Sequence, residues 1–152
     1  VEALDNNTDF TVETNFRDPA LINTVNLFKE KDYVASIVYI DLSDVRQSMD
    51  RVSARVKGGG HFVDTGSIHY NYNEGLKNFE YFADRFDNLE FIDASENLYE
   101  LRSLLSVQNR QVVFVSNDLP KWVKPIVSSI VKQFNPSLPK RDDDNKYRGG
   151  PR

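Results

Sequence analysis

Apolar residues along the chain switch repeatedly between continuous runs and a helical stripe. Phe10, Thr11, Val12, Glu13 and Thr14 form a short β-rich run. The Asp18-Pro19 pair that follows predicts a helix start, because proline at the first helical position sacrifices no hydrogen bond. Leu21, Ile22, Val25 and Phe28 then recur on one helical face. Residues 33–42, YVASIVYIDL, are almost unbroken β-branched and aromatic residues, which predicts a strand buried on both faces. Ser43 or Asp44 is placed to cap the next helix, whose inward stripe is Val45, Met49, Val52 and Val56. Asp64 or Thr65 opens a longer helix carrying Ile68, Tyr72, Leu76, Phe79, Ala83 and Phe86 on one side.

A second buried strand is expected at residues 89–95, LEFIDAS. Residues 98–107 and 111–117 read as two strands joined at Gln108-Asn109-Arg110, an antiparallel hairpin at a sheet edge. The stretch 119–134 is an amphipathic helix with Pro125 either near its start or kinking it. From Asn135 onward proline, glycine and charge replace any apolar period, the composition of a mobile tail. Alternation of strands and helices therefore predicts an α/β domain over residues 1–134, with a parallel sheet flanked by helices and a hairpin towards the C-terminus, followed by a tail at 135–152. The apolar pattern begins within ten residues of Val1, as expected of a chain entered partway through a fold.

Composition narrows the chemistry. At 152 residues the chain can bury a core of its own, and its net charge of −4 argues against a general nucleic-acid binder. The absence of cysteine excludes disulfides and thiolate sites, and two histidines, His61 and His69, are too few for a multi-histidine metal centre. No apolar run approaches the ~20 residues needed to cross a bilayer, so a cytoplasmic protein without a membrane partner is expected.

One stretch stands apart. Arg51 and Arg55 lie four residues apart on one helical face, ahead of Gly58, Gly59, Gly60 and His61. A solvated helix with a glycine cap would account for the arginine pair. On spacing alone that solvated helix is the commoner outcome; the functional reading is a phosphate clamp, since the guanidinium fork matches phosphoryl oxygens and keeps its charge at any working pH. Because one cap needs one glycine, three in series suggest a hinge carrying an arginine lid over residues 43–86.

The order Arg51, Val52, Arg55, Val56, Gly59, Gly60, His61, Val63, Ile68, Tyr72 resembles that of the zeta-toxin-like P-loop kinases. The similarity extends from FTVETN through EGLKNF and LEFIDAS to LPKW, roughly residues 9–125. The resemblance implies a P-loop-kinase-like fold and phosphorylation of a small-molecule hydroxyl by ATP and Mg2+, with a nucleotide sugar such as UDP-N-acetylglucosamine as acceptor and an antitoxin as a possible protein partner. It implies Arg51 and Arg55 as catalytic lid residues, Glu13, Thr14 and Arg17 as substrate contacts, and Gly58, Gly59, Gly60 and His61 as the hinge.

The family's G-x-x-x-x-G-K-[ST] loop occurs nowhere in the chain, so ATP is expected to bind this chain weakly. Asn71 stands where many relatives carry an arginine. A non-catalytic binding or regulatory module that keeps the lid is the alternative, and a homodimer through exposed sheet surface is a further expectation. Glu13 could instead be a solvated strand-end carboxylate, and Arg17 could merely precede the helix start. His61 is expected to hold the glycine turn through its ring, Asp93 to order a loop or cap a turn, Trp122 to anchor the core, and His69 to be surface.

Overall fold

The computed structural model describes residues 2–96 and 100–135. In chain order these are α1 (Glu2–Asp5), α2 (Leu21–Lys29), β1 (Ser36–Asp41), α3 (Val45–Lys57), α4 (Thr65–Tyr81), a 3-10 turn (Ala83–Arg85), β2 (Asn88–Asp93), β3 (Arg102–Gln108), β4 (Gln111–Val115) and α5 (Lys124–Gln133). The tail expected at 135–152 lies, beyond Asn135, outside these residues, as do positions 98 and 99 of the expected hairpin.

The architecture is mixed α/β, with a four-stranded sheet in the order β1-β2-β3-β4. β1 and β2 are parallel, aligned from Ser36↔Asn88 to Asp41↔Asp93. The expected parallel sheet ends there, because β2–β3 and β3–β4 are both antiparallel. Connection length explains the difference. Residues 42–87 carry the two-helix crossover that a parallel pair needs, whereas residues 94–101 are too few for a crossover and return the chain antiparallel. The expected hairpin is present, and its turn is closed by Asn109 and Arg110, both at positive φ (49° and 63°) as a tight primed turn requires.

Capping follows the sequence. Asp44 accepts from the backbone N–H groups of Arg46 and Gln47 at the start of α3, and Asp64 accepts from that of Ser67 at the start of α4. Pro125 sits in the first turn of α5, where it costs no intrahelical bond, so the helix is not kinked. The helical stripe continuing to Phe86 is divided, since α4 gives way to the 3-10 turn after Phe82, yet Ala83 and Phe86 still face inward.

The core lies between one face of the sheet and the helices. Phe79 of α4 is fully buried, stacked on Tyr39 of β1 at 4.2 Å and packed against Phe91 of β2 at 5.0 Å. Leu104, Leu105, Val123, Val127 and Ile130 close the other end. Trp122 meets Phe91 edge-on and serves as the core anchor expected of it. At the opposite end of the strands, Lys29 pairs with Asp87 at 2.7 Å. Burial alone would raise the Asp87 carboxyl, but the bonds from Lys29 and the Ala35 N–H outweigh it and hold it below the usual range.

Two expectations about strands are corrected. β1 is covered on one face only, with Val38 and Ile40 exposed (62% and 54%), because the helices pack on the side of Tyr39. Residues 10–14 form no strand. The segment is anchored at one end by Phe10 stacked on Phe28, and at the other by Phe16, whose carbonyl accepts from Asn78 of α4. Gly75 admits it to α4, since a β-carbon there would lie 2.4 Å from the Asn15 carbonyl oxygen.

Candidate functional site

Both parallel strands end in aspartate, and their register sets Asp41 beside Asp93. Carboxyl ends of parallel strands are where α/β folds bind ligands, because the chain leaves the sheet there through loops and helix starts. Asp41 and Asp93 are buried, at 6% and 7% exposure. One Asp41 oxygen accepts from the Leu42 N–H at 2.9 Å, while the other, Oδ2, is buried without a hydrogen-bond partner. Burial pushes the Asp41 carboxyl up to about 7; the Leu42 bond opposes this and the charge of Asp93 adds to it. Asp93 accepts from the Ser95 N–H at 2.9 Å, which makes it the turn-ordering residue the sequence suggested.

Two tyrosines border the aspartates. Tyr72 of α4 donates to the Leu42 carbonyl at 2.8 Å, and its hydroxyl is pushed up to about 12, chiefly by burial and then by Asp41 and Asp44. Tyr39 is raised further, chiefly by burial and then by Asp41 and Tyr72, so both stay protonated at any physiological pH.

α3 lies over this end of the sheet. The Ser43 N–H donates to Ser95 Oγ at 2.6 Å, and Arg51 donates through Nη2 to the Ala94 carbonyl. Arg51 thus stands one residue from Asp93. Arg55, one turn later, is exposed, and its side chain has no hydrogen-bond or ion-pair partner among the described residues. Its backbone carbonyl receives the N–H groups of Gly58 and Gly60. Gly60 is required, as a β-carbon would lie 2.6 Å from Arg55 Cγ and 2.9 Å from its carbonyl oxygen, and Gly59 adopts φ of 92°. His61 is exposed and makes no hydrogen bond among the described residues, so the turn is held by backbone bonds and not by its ring.

The substrate-contact candidates are distributed along the segment before α2. Arg17 Nη1 donates to Asn71 Oδ1 at 3.3 Å, which ties the segment before α2 to α4. Thr14 Oγ1 accepts from the Phe16 N–H at 3.1 Å, a local turn contact. Glu13 is exposed. The fold therefore brings Arg51 to the strand ends and joins Arg17 to α4, and leaves Glu13 and Arg55 pointing to solvent.

Pattern reading passed over Asp41, Gln47 and Arg102. Gln47 Oε1 and Arg102 Nη2 are, with Asp41 Oδ2, buried polar atoms lacking a hydrogen bond. The available signal was the repeat of two apolar residues and an aspartate, YID at 39–41 and FID at 91–93, at the ends of two strand-like runs. No group of three or more His, Cys, Asp or Glu side chains assembles as a metal site among the described residues. With the phosphate loop also absent from the sequence, these residues alone do not fit a nucleoside triphosphate and its Mg2+.

No family model matches the chain, and no solved structure matches it. A stretch of 63 residues is 30% identical to an uncharacterized protein of Haemophilus influenzae, covering 41% of this chain and 45% of that protein. The chain thus spans less than half the length of the curated relative it matches.

Proposed function

We propose that this chain is part of a zeta-toxin-like kinase, in which the intact protein transfers a phosphoryl group from ATP, with Mg2+, to a hydroxyl of a small molecule such as UDP-N-acetylglucosamine. The observation supporting the reading is the position of Arg51: a helix bounded by a glycine turn lets its guanidinium donate to the carbonyl of Ala94, the residue that follows Asp93 at the end of a parallel strand. A cation at that position can stabilise charge that grows on a transferring phosphoryl group, and the exposed Arg55 is free to join it. The closed lid, the P-loop-like arrangement of the whole sheet and a cytoplasmic setting belong to the same reading. Among the described residues no helix is long and apolar enough to cross a membrane.

The test is turnover of the intact protein with UDP-N-acetylglucosamine and other hydroxyl acceptors. Arg51→Ala and Arg55→Ala should each lower kcat on the order of a thousandfold with a much smaller change in KM, because transition-state contacts raise the rate without tightening substrate binding. Near-normal turnover in the double variant would remove the reading. A second reading, a non-catalytic binding module, is favoured by the bonds that already occupy Arg17 and Arg51. Calorimetry separates the two at the level of this chain and the intact protein. The kinase reading expects millimolar or weaker ATP binding here and micromolar binding in the intact protein, whereas the module reading expects weak binding in both.

A further inference from the structure

Side chains along a strand alternate between the two faces of a sheet. Here Leu89 and Phe91 of β2 point to the face on which α2, α4 and α5 add Ile22, Phe79 and Ile130 to the core. On the other face the register aligns one row across all four strands: Val38, Glu90, Ser106 and Phe114. Val38 and Phe114, the ends of that row, are exposed, and so is Ile40, which lies beside Ile92 in the next row. Exposed apolar side chains gathered on one sheet face mark a binding surface, and in α/β domains helices ordinarily cover such a face. Glu90 stands at its middle. One of its carboxylate oxygens accepts from the Ser103 hydroxyl and the other from that of Ser106, so β3 fixes the carboxylate against the sheet. Glu90 is half-buried, and no cation pairs with it among the described residues.

That carboxylate selects what can cover the face. With one bond at each oxygen it keeps acceptor capacity for a further donor. A wholly apolar cover would bury its charge without compensation. A second copy packed face to face across a twofold axis would set one Glu90 against the other with no cation between them. A helix whose apolar stripe is interrupted by one arginine or lysine meets both demands, because it buries Val38 and Ile40 and pairs with Glu90. The spacing also suits a helix laid along β2. Glu90 and Ile92 are two residues apart on one strand, roughly 7 Å, and positions i and i+4 of a helix rise about 6 Å, so a cation over Glu90 puts the apolar side chain of the next turn over Ile92.

We propose that this open face of the sheet docks an amphipathic helix of a partner protein, through an apolar stripe interrupted by one arginine or lysine that pairs with Glu90. The assignment is independent of the kinase reading. The experiment titrates the full chain, followed by amide NMR, with stapled helical peptides that carry leucine in an i, i+3, i+4, i+7 stripe and arginine, glutamine or glutamate at one central stripe position. The arginine peptide should shift residues 38–40, 90–92 and 114 and bind about tenfold more tightly than the glutamine peptide, the gain of a charge-assisted over a neutral hydrogen bond, with the glutamate peptide weakest. Glu90→Gln should reduce the arginine preference to about twofold or less, and Ile40→Ser should weaken all three peptides alike, both variants keeping the folded spectrum because the altered side chains are not fully buried. Shifts elsewhere or none, equal affinity for the three peptides, or an arginine preference that survives Glu90→Gln would each overturn the proposal. So would self-association that protects the same residues in sedimentation and NMR, which would give the face to a second copy, or their failure to respond in the intact protein, which would give it to the rest of its own chain.

Discussion

Across β2, β3 and the helices behind them, inward side chains are met by other parts of the chain: Phe91, Leu104, Leu105 and Val123 are fully buried, and Trp122 closes on Phe91. At β1 and α3 the chain is unfinished by the same measure. Val38 and Ile40 face solvent, α3 buries no residue, and Asp41 keeps an oxygen without a partner. Groups that cost stability where they sit are retained where something else is to be bound, so the second region is the one on which function should be sought.

The largest effect should come from the completed region. Phe91→Ala removes a fully buried ring that touches Tyr39, Phe79 and Trp122, and should cost roughly 3–5 kcal/mol in urea unfolding. A loss below about 1 kcal/mol would mean that this side of the sheet is loosely packed as well, and the contrast would fail.

Asp41 sharpens the contrast through pH. Its folded carboxyl keeps a proton up to about 7, whereas in the unfolded chain it releases it near its ordinary value of 3.8. Between those values the folded state binds more protons, so stability is full in acid and is lost as pH rises through about 7. The loss should amount to roughly 2–4 kcal/mol, and Asp41→Asn should flatten the profile and be the more stable protein at pH 8. Asp87, held below its usual range, works in the opposite direction and only in acid, where protonation removes its contribution. A wild-type profile that climbs from pH 5 to 8 would contradict the burial of an unpaired Asp41.

Val38→Ser should have the smallest effect, within about 0.5 kcal/mol, because that side chain is already 62% exposed. A loss above 1 kcal/mol that grows with protein concentration would show that another copy covers this face.

Much of this was legible in local chemistry. Asp44 and Asp64 cap helices because short carboxylates bond orphan N–H groups, and Asn109-Arg110 turns a hairpin because the runs on either side alternate. Phe10–Thr14 was misread because β-propensity describes a surface that suits a strand, while pairing depends on a neighbour; here α4 takes the segment instead, through Gly75 and Asn78. The antiparallel return after β2 was implicit in a connection too short for a crossover. At the site, the glycine turn and Arg51 carried a sequence signal, but the isolation of Asp41 Oδ2 did not, since it arises only when β1, β2 and α3 meet.

The hairpin also sets an order of assembly. β3 and β4 are joined by a two-residue turn and can zip together locally, and β2 adds to them after a short return. β1 must find β2 across residues 42–87, a closure whose entropic cost is met only once Phe79 and Tyr39 stack. Refolding is therefore expected to build the antiparallel three first and to dock β1 last, so that Asp41 and Asp93 come side by side only in the final step.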